Sequence, residues 1–156
     1  MSEAEKIEAL LAPCGGEVIK LEDVGDEVFA SGMLGVGFGV IPEDKEFFSP
    51  AKGKVTNAHE AGHAYMIETA DGLELLVHIG INTVELEGEY FSPAVRAGMT
   101  VSRETKLTYA DVDRIRDRGY DPATVVIVTN SDLLKRFEIS YGKISKGQEV
   151  MKYTLK

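Results

Sequence analysis

The chain has 156 residues, enough for one domain with a full apolar core, and its 44% hydrophobic and 28% charged residues are ordinary for a globular protein. A formal net charge of −9 with no basic block argues against nucleic-acid binding. No apolar run approaches the roughly 20 residues needed to cross a bilayer, and the acidic start MSEAEKIEALLAP lacks the basic and apolar regions of a signal peptide, so a cytoplasmic location is expected.

Residues 1–156 read as a single domain, with no linker or composition break; Met1 and the missing linker suit a free-standing unit. Residues 1–10 are expected to be mobile, or to make a helical turn over Ala4–Leu11. The lone Cys14 has no partner for an internal disulfide and fits a reducing compartment. Short runs rich in Val and Ile follow, separated by Gly, Pro, Asn and Asp. They predict strands at Gly16–Leu21, Gly35–Ile41, Gly53–Asn57, His63–Thr69, Leu73–Ile79, Thr83–Leu86, Val125–Thr129 and Glu149–Leu155. One helix is expected over Tyr109–Arg118, with Thr108 as N-cap and Gly119 as its stop. The fold class is therefore all-β, an antiparallel sandwich or barrel with one or two short helices. Pro13–Val18 and Pro50–Val55 share P-x-x-G-x-V, while Gly98–Val101 and Gly147–Val150 share G-x-x-V, a spacing that suits duplicated halves.

The most informative segment runs from Gly62 to Gly80, where two strand-like runs flank Asp71-Gly72, a strong hairpin signal. A two-residue turn there sets Ala70 opposite Leu73, Tyr65 opposite His78 and His63 opposite Gly80. Side chains alternate faces along a strand. Ala64, Met66, Leu73, Leu75, Val77 and Ile79 then face the core, and His63, Tyr65, Ile67, Leu76 and His78 share the other face. The two histidines become diagonal neighbours, about 7–8 Å apart at the backbone. A register slip of one residue would separate them. A neutral imidazole is a good nucleophile near neutral pH, since its ordinary pKa is about 6.5. A second imidazole beside it can hydrogen-bond to a group the first carries, or the two can share a metal such as zinc.

His59-Glu60-Ala61-Gly62-His63 also matches H-E-x-x-H, the zinc-protease pattern. That chemistry needs a helix so that both histidines meet the metal on one face. Val55-Thr56-Asn57 before the motif and Gly62 within it oppose a helix, so His59 and Glu60 are read as an exposed loop and no metal cofactor is expected.

Leu76-Val77-His78-Ile79-Gly80-Ile81-Asn82-Thr83-Val84-Glu85-Leu86 resembles the phosphorylation-site signature of glucose-type IIA domains of the bacterial phosphoenolpyruvate-dependent sugar phosphotransferase system. Gly62-His63-Ala64-Tyr65 resembles the segment carrying that family's second active-site histidine. The likeness extends from about Leu11 to Lys152. It implies a β-sandwich with a shallow apolar depression, and a phosphotransferase role in which His78 takes a phosphoryl group on Nε2 from the phosphocarrier protein HPr. The group then passes to a cysteine of a IIB domain during sugar uptake. His63 supports the transfer, and Val28, Phe29, Ile79, Gly80, Asn82 and Val84 form the rim that partners cover. Two positions depart from the family pattern: Ala61 stands where a threonine often orients the second histidine, and Asn82 stands where an aspartate is common. A regulatory role through the same face is a further expectation. The alternative is a biotinyl- or lipoyl-type carrier; it requires a modified lysine at a hairpin tip, and the Asp71-Gly72 turn has none.

Overall fold

The computed structural model describes residues 6–156. In chain order the strands are β1 (Glu8–Leu11), β2 (Gly16–Lys20), β3 (Val36–Pro42), β4 (Glu46–Phe48), β5 (Gly53–Ala58), β6 (Ala64–Thr69) and β7 (Glu74–Ile79). They continue with β8 (Phe91–Pro93), β9 (Thr100–Val101), β10 (Lys106–Ala110), β11 (Thr124–Val128), β12 (Leu134–Ile139), β13 (Gly142–Ile144) and β14 (Glu149–Leu155). Two short helices, α1 (Glu27–Ala30) and α2 (Val112–Asp117), complete the set, apart from three turns of 3-10 helix. An eight-stranded sheet runs β13-β2-β3-β11-β7-β6-β5-β9, and two three-stranded sheets run β1-β14-β12 and β4-β10-β8. The ladders are antiparallel, as the fold class required. In the repeated motif, Gly16 and Gly53 open β2 and β5.

Five expectations are corrected. Glu8–Leu11 is a strand paired with β14, not a mobile lead-in or a helical turn, because it pairs along its length and Leu10 buries in the main cluster; Ala4 and Glu5 lie outside the described residues. Thr83–Leu86 is a 3-10 turn, since Asn82 and Glu87 on either side adopt left-handed backbone that a strand does not accept. The helix begins at Val112 with Asp111 as N-cap, its carboxylate accepting the Arg114 amide; Lys106–Ala110, including Thr108 and Tyr109, is strand. β-branched and aromatic residues favour that extended segment, and Asp111 caps the helix after it.

The fourth correction is the hairpin register. Thr69 donates its amide to Leu73, so the loop is Ala70-Asp71-Gly72, three residues with Gly72 in positive φ, and not a two-residue turn. The pairing becomes Ala64 with His78, Tyr65 with Val77 and Ile67 with Leu75. One residue of slip exchanges the faces of β6. Tyr65, 1% exposed, and Ile67 join Leu75, Val77 and Ile79 in the main core, while Ala64 and Met66 stand on the other face. The loop is tied down: Thr69 Oγ1 donates to Asp71, whose other carboxylate oxygen accepts the Tyr153 hydroxyl of β14 at 2.8 Å.

The fifth concerns strand ends. Leu73, which closes the loop opposite Thr69, precedes β7, and His63 precedes β6. The main core packs Tyr65, Ile67, Val77 and Ile79 with Phe38, Val40, Val126 and Val128. Full burial of each such side chain contributes about 1.5–3 kcal/mol. The opposite face of the large sheet carries a smaller cluster, Val125 and Ile127 of β11 with Leu76, Phe29, Val24 and Ile81. Gly39 of β3 makes room for it, because a Cβ there would lie 2.8 Å from Val24. The segment carrying α1 therefore lies close against the sheet next to His78.

Candidate functional site

His78 is the penultimate residue of β7, which runs between β6 and β11. It is opposite Ala64 on one side and Val125 on the other, so its ring rises on the face of the smaller cluster and stays half-buried. Its Nδ1 lies 2.8 Å from the carbonyl oxygen of Gly80. A carbonyl only accepts, so Nδ1 carries the proton and Nε2 keeps a free lone pair. Burial pushes the His78 pKa down, against the Gly80 carbonyl and the Asp26 carboxylate, which raise it, and His59 adds to the lowering. The ring is thus a neutral nucleophile with one nitrogen committed and one available.

His63 comes to the same place by a different route from the one its sequence spacing suggests. With the observed register, strict alternation would send it to the core face. It stands before β6, directly after Gly62, whose φ is +89°, and its carbonyl accepts the Ile79 amide at 2.7 Å. The rings of His63 and His78 meet with centroids 5.2 Å apart and planes 78° to each other. His63 is only 3% exposed. Desolvation, then the neighbouring His78 and His59 rings, pull its pKa down to about 4, so it is neutral at pH 7. Its Nδ1 is buried without a hydrogen-bond partner. A bare lone pair there costs less than an orphaned N–H, which assigns the proton to Nε2.

Among the expected rim residues, Phe29 lies with its ring 5.2 Å from His78, held by α1, whose N-cap Asp26 accepts the Val28 and Phe29 amides. Val28 is 47% and Val84 49% exposed, as surface contacts require. Gly80 contributes its carbonyl, and Asn82 is exposed in left-handed backbone with no side-chain cap hydrogen bond. Ile79 is a correction: it is 0% exposed and packs in the main core, because it alternates with His78. The H-E-x-x-H segment is not helical: β5 ends at Ala58 and a turn leads to Ala64. His59 and Glu60 are exposed as expected, yet the His59 ring rests 4.4 Å from that of His63, a contact the loop reading missed. Among the described residues no group of three His, Cys, Asp or Glu side chains is arranged to hold a metal ion, so zinc on His63 and His78 would need a ligand from elsewhere.

Residues 8–134 match the model of the phosphoenolpyruvate-dependent sugar phosphotransferase system, EIIA 1. The chain belongs to that family. The EIIA component that is glucose-specific in Staphylococcus epidermidis is 39% identical over 137 residues, covering 88% of this chain and 82% of that protein. The glucose permease IIA structure from Mycoplasma capricolum is 32% identical and superposes with a TM-score of 0.88 over 97% of this chain and 99% of that one. The β-glucoside-specific EIIBCA component of Bacillus subtilis is 42% identical over 125 residues, and the matched region spans 20% of its length. The fold of this EIIA member is accordingly the β-sandwich expected, and no helix among its described residues is long and apolar enough to cross a membrane.

Proposed function

We infer that this chain is the phosphoryl-carrying unit of a sugar phosphotransferase system, taking the group from phosphorylated HPr on His78 Nε2 and passing it to a IIB cysteine in the cytoplasm. The observation that carries this reading is the Nδ1 contact of His78 with the Gly80 carbonyl, which leaves Nε2 unprotonated beside His63. In the first step the Nε2 lone pair forms the N–P bond while the bond to the donor breaks, its electron pair leaving with the donor. In the second a cysteine thiolate attacks phosphorus, and the pair of the N–P bond returns to Nε2. Phosphoryl transfer asks mainly for in-line placement and for donors to the equatorial oxygens. The neutral His63, with its proton on Nε2, is such a donor at no cost in charge. Phe29, Val28 and Val84 offer the apolar margin that a docked partner needs to exclude water. Names of relatives support the IIB partner, since EIIA sequence is fused to B and C components in the β-glucoside protein.

Incubation with HPr, its phosphoenolpyruvate-dependent kinase and labelled phosphoenolpyruvate tests the reading. One acid-labile phosphate per chain is expected, absent in His78→Ala. Full labelling of that variant would overturn it.

A further inference from the structure

Three imidazoles, not two, meet at this end of the β6–β7 hairpin. The centroid of the His59 ring is 4.4 Å from that of His63, with planes at 54°, and His63 is 5.2 Å from His78. His59 is exposed but not loose. Its amide donates to the Ala64 carbonyl at 2.9 Å, its carbonyl accepts the Gly62 amide at 2.9 Å, and its Nδ1 accepts the Ala61 amide at 3.0 Å. The two backbone bonds close the turn and set the side chain beside His63.

His63 is in the opposite condition. Its Nδ1 is buried and has no hydrogen-bond partner, so no directional contact at that atom sets the rotation of the ring. Ala61, two residues earlier, where the resemblance places a threonine, carries no hydroxyl to donate to it. Three aromatic rings pack around His63: His59 at 4.4 Å, His78 at 5.2 Å and Phe91 at 6.3 Å, the last two edge-on. Phe91 and His78 are fixed by strand and carbonyl contacts, and His59 is the wall supplied by the turn.

We propose that His59 is a positioning residue for phosphoryl transfer, its ring serving as the wall that keeps His63 aimed at His78 in place of a hydrogen bond at Nδ1. The proposal rests on the reading of His78 as phosphoryl carrier. The role is one of shape, so another flat ring can fill it, whereas a methyl group cannot. A hydroxyl delivered to the orphaned Nδ1 should make the wall dispensable.

The test uses the full chain, charged through HPr and then mixed with a IIB domain, with transfer followed in single turnover. His59→Ala should label fully on His78 but pass the group on about ten- to a hundredfold more slowly, the upper figure being the loss that about 1 Å of misplacement brings. His59→Phe should stay within about twofold of the native rate, and adding Ala61→Thr to His59→Ala should recover most of the loss, a coupling that independent sites would not show. The ring nitrogen resonances of His63 should shift in His59→Ala and not in His59→Phe. Native transfer in His59→Ala, or equal loss in His59→Ala and His59→Phe, would overturn the proposal. Failure of the native chain to label at all would instead overturn the carrier reading beneath it.

Discussion

The Nδ1 atom of His78 points at the carbonyl oxygen of Gly80, two residues along the chain, across 2.8 Å. Gly80 itself adopts φ +83°, a left-handed backbone that favours glycine. A Cβ at this position would lie 2.3 Å from Thr83 Cγ2, and Thr83 is itself buried and bonded to the Ile79 carbonyl. Gly80→Ala should therefore destabilise the fold by about 1–3 kcal/mol and slow phosphorylation of His78 as well. Urea denaturation and initial labelling rates measure the two effects; loss of stability with an unchanged rate would detach the carbonyl from the chemistry.

His63 should leave a mark on the pH dependence of stability. Its pKa falls from an ordinary 6.5 to about 4 on folding, so between those values the unfolded chain binds the additional proton. The stabilisation associated with neutral His63 is complete above pH 6.5 and declines as the pH falls toward 4. The lowered pKa of His78 acts in the same direction. Denaturation at about pH 7 and about pH 4.5 should show this decline, and His63→Gln should reduce it by about 1–3 kcal/mol. An identical pH profile for the variant would mean the ring is not desolvated as described.

Asp26 both caps α1 and raises the His78 pKa through its charge. Asn caps as well as Asp, so Asp26→Asn isolates the charge. Titration of the His78 ring by NMR should show its pKa falling further in Asp26→Asn, with stability nearly unchanged. Asp26→Ala should show the same fall and lose about 1 kcal/mol of stability from the missing cap. A pKa that rises in either variant contradicts the electrostatic account.

Ile79 and Val84 are both rim candidates by sequence, but their burial separates them. Ile79→Ala should cost about 2–5 kcal/mol, as cavity formation in a packed core does. Val84→Asp, on an exposed side chain, should leave the denaturation midpoint within experimental error but weaken the interaction with HPr. Binding measured by calorimetry, with stability measured in parallel, separates the two.

The sheet-rich fold and the meeting of two histidines are legible in the sequence, for two separable reasons. Val-rich runs with turn residues between them announce strands, and the run from Leu76 to Leu86 is specific enough to name a family. The register is not legible, because an Asp-Gly pair is compatible with a two- or a three-residue loop, and only Thr69 closing on Leu73 distinguishes them. The expected convergence of His63 and His78 is correct although its derivation is not: His63 escapes the alternation by standing outside β6. Short pairings such as those of β4 and β8 with β10 are not anticipated, since three-residue strands carry too little pattern to read. The Gly80 hydrogen bond is a backbone feature and leaves no signature in residue type.

The strand beneath His78 has a neighbour on each edge, β6 and β11, with ladder bonds to both. The backbone that carries the imidazole is thus held from both sides. On the carrier reading proposed above, the ring is a fixed post that meets donor and acceptor with the same geometry, and the net direction of transfer follows from the phosphoryl-transfer potentials and the amounts of those two partners.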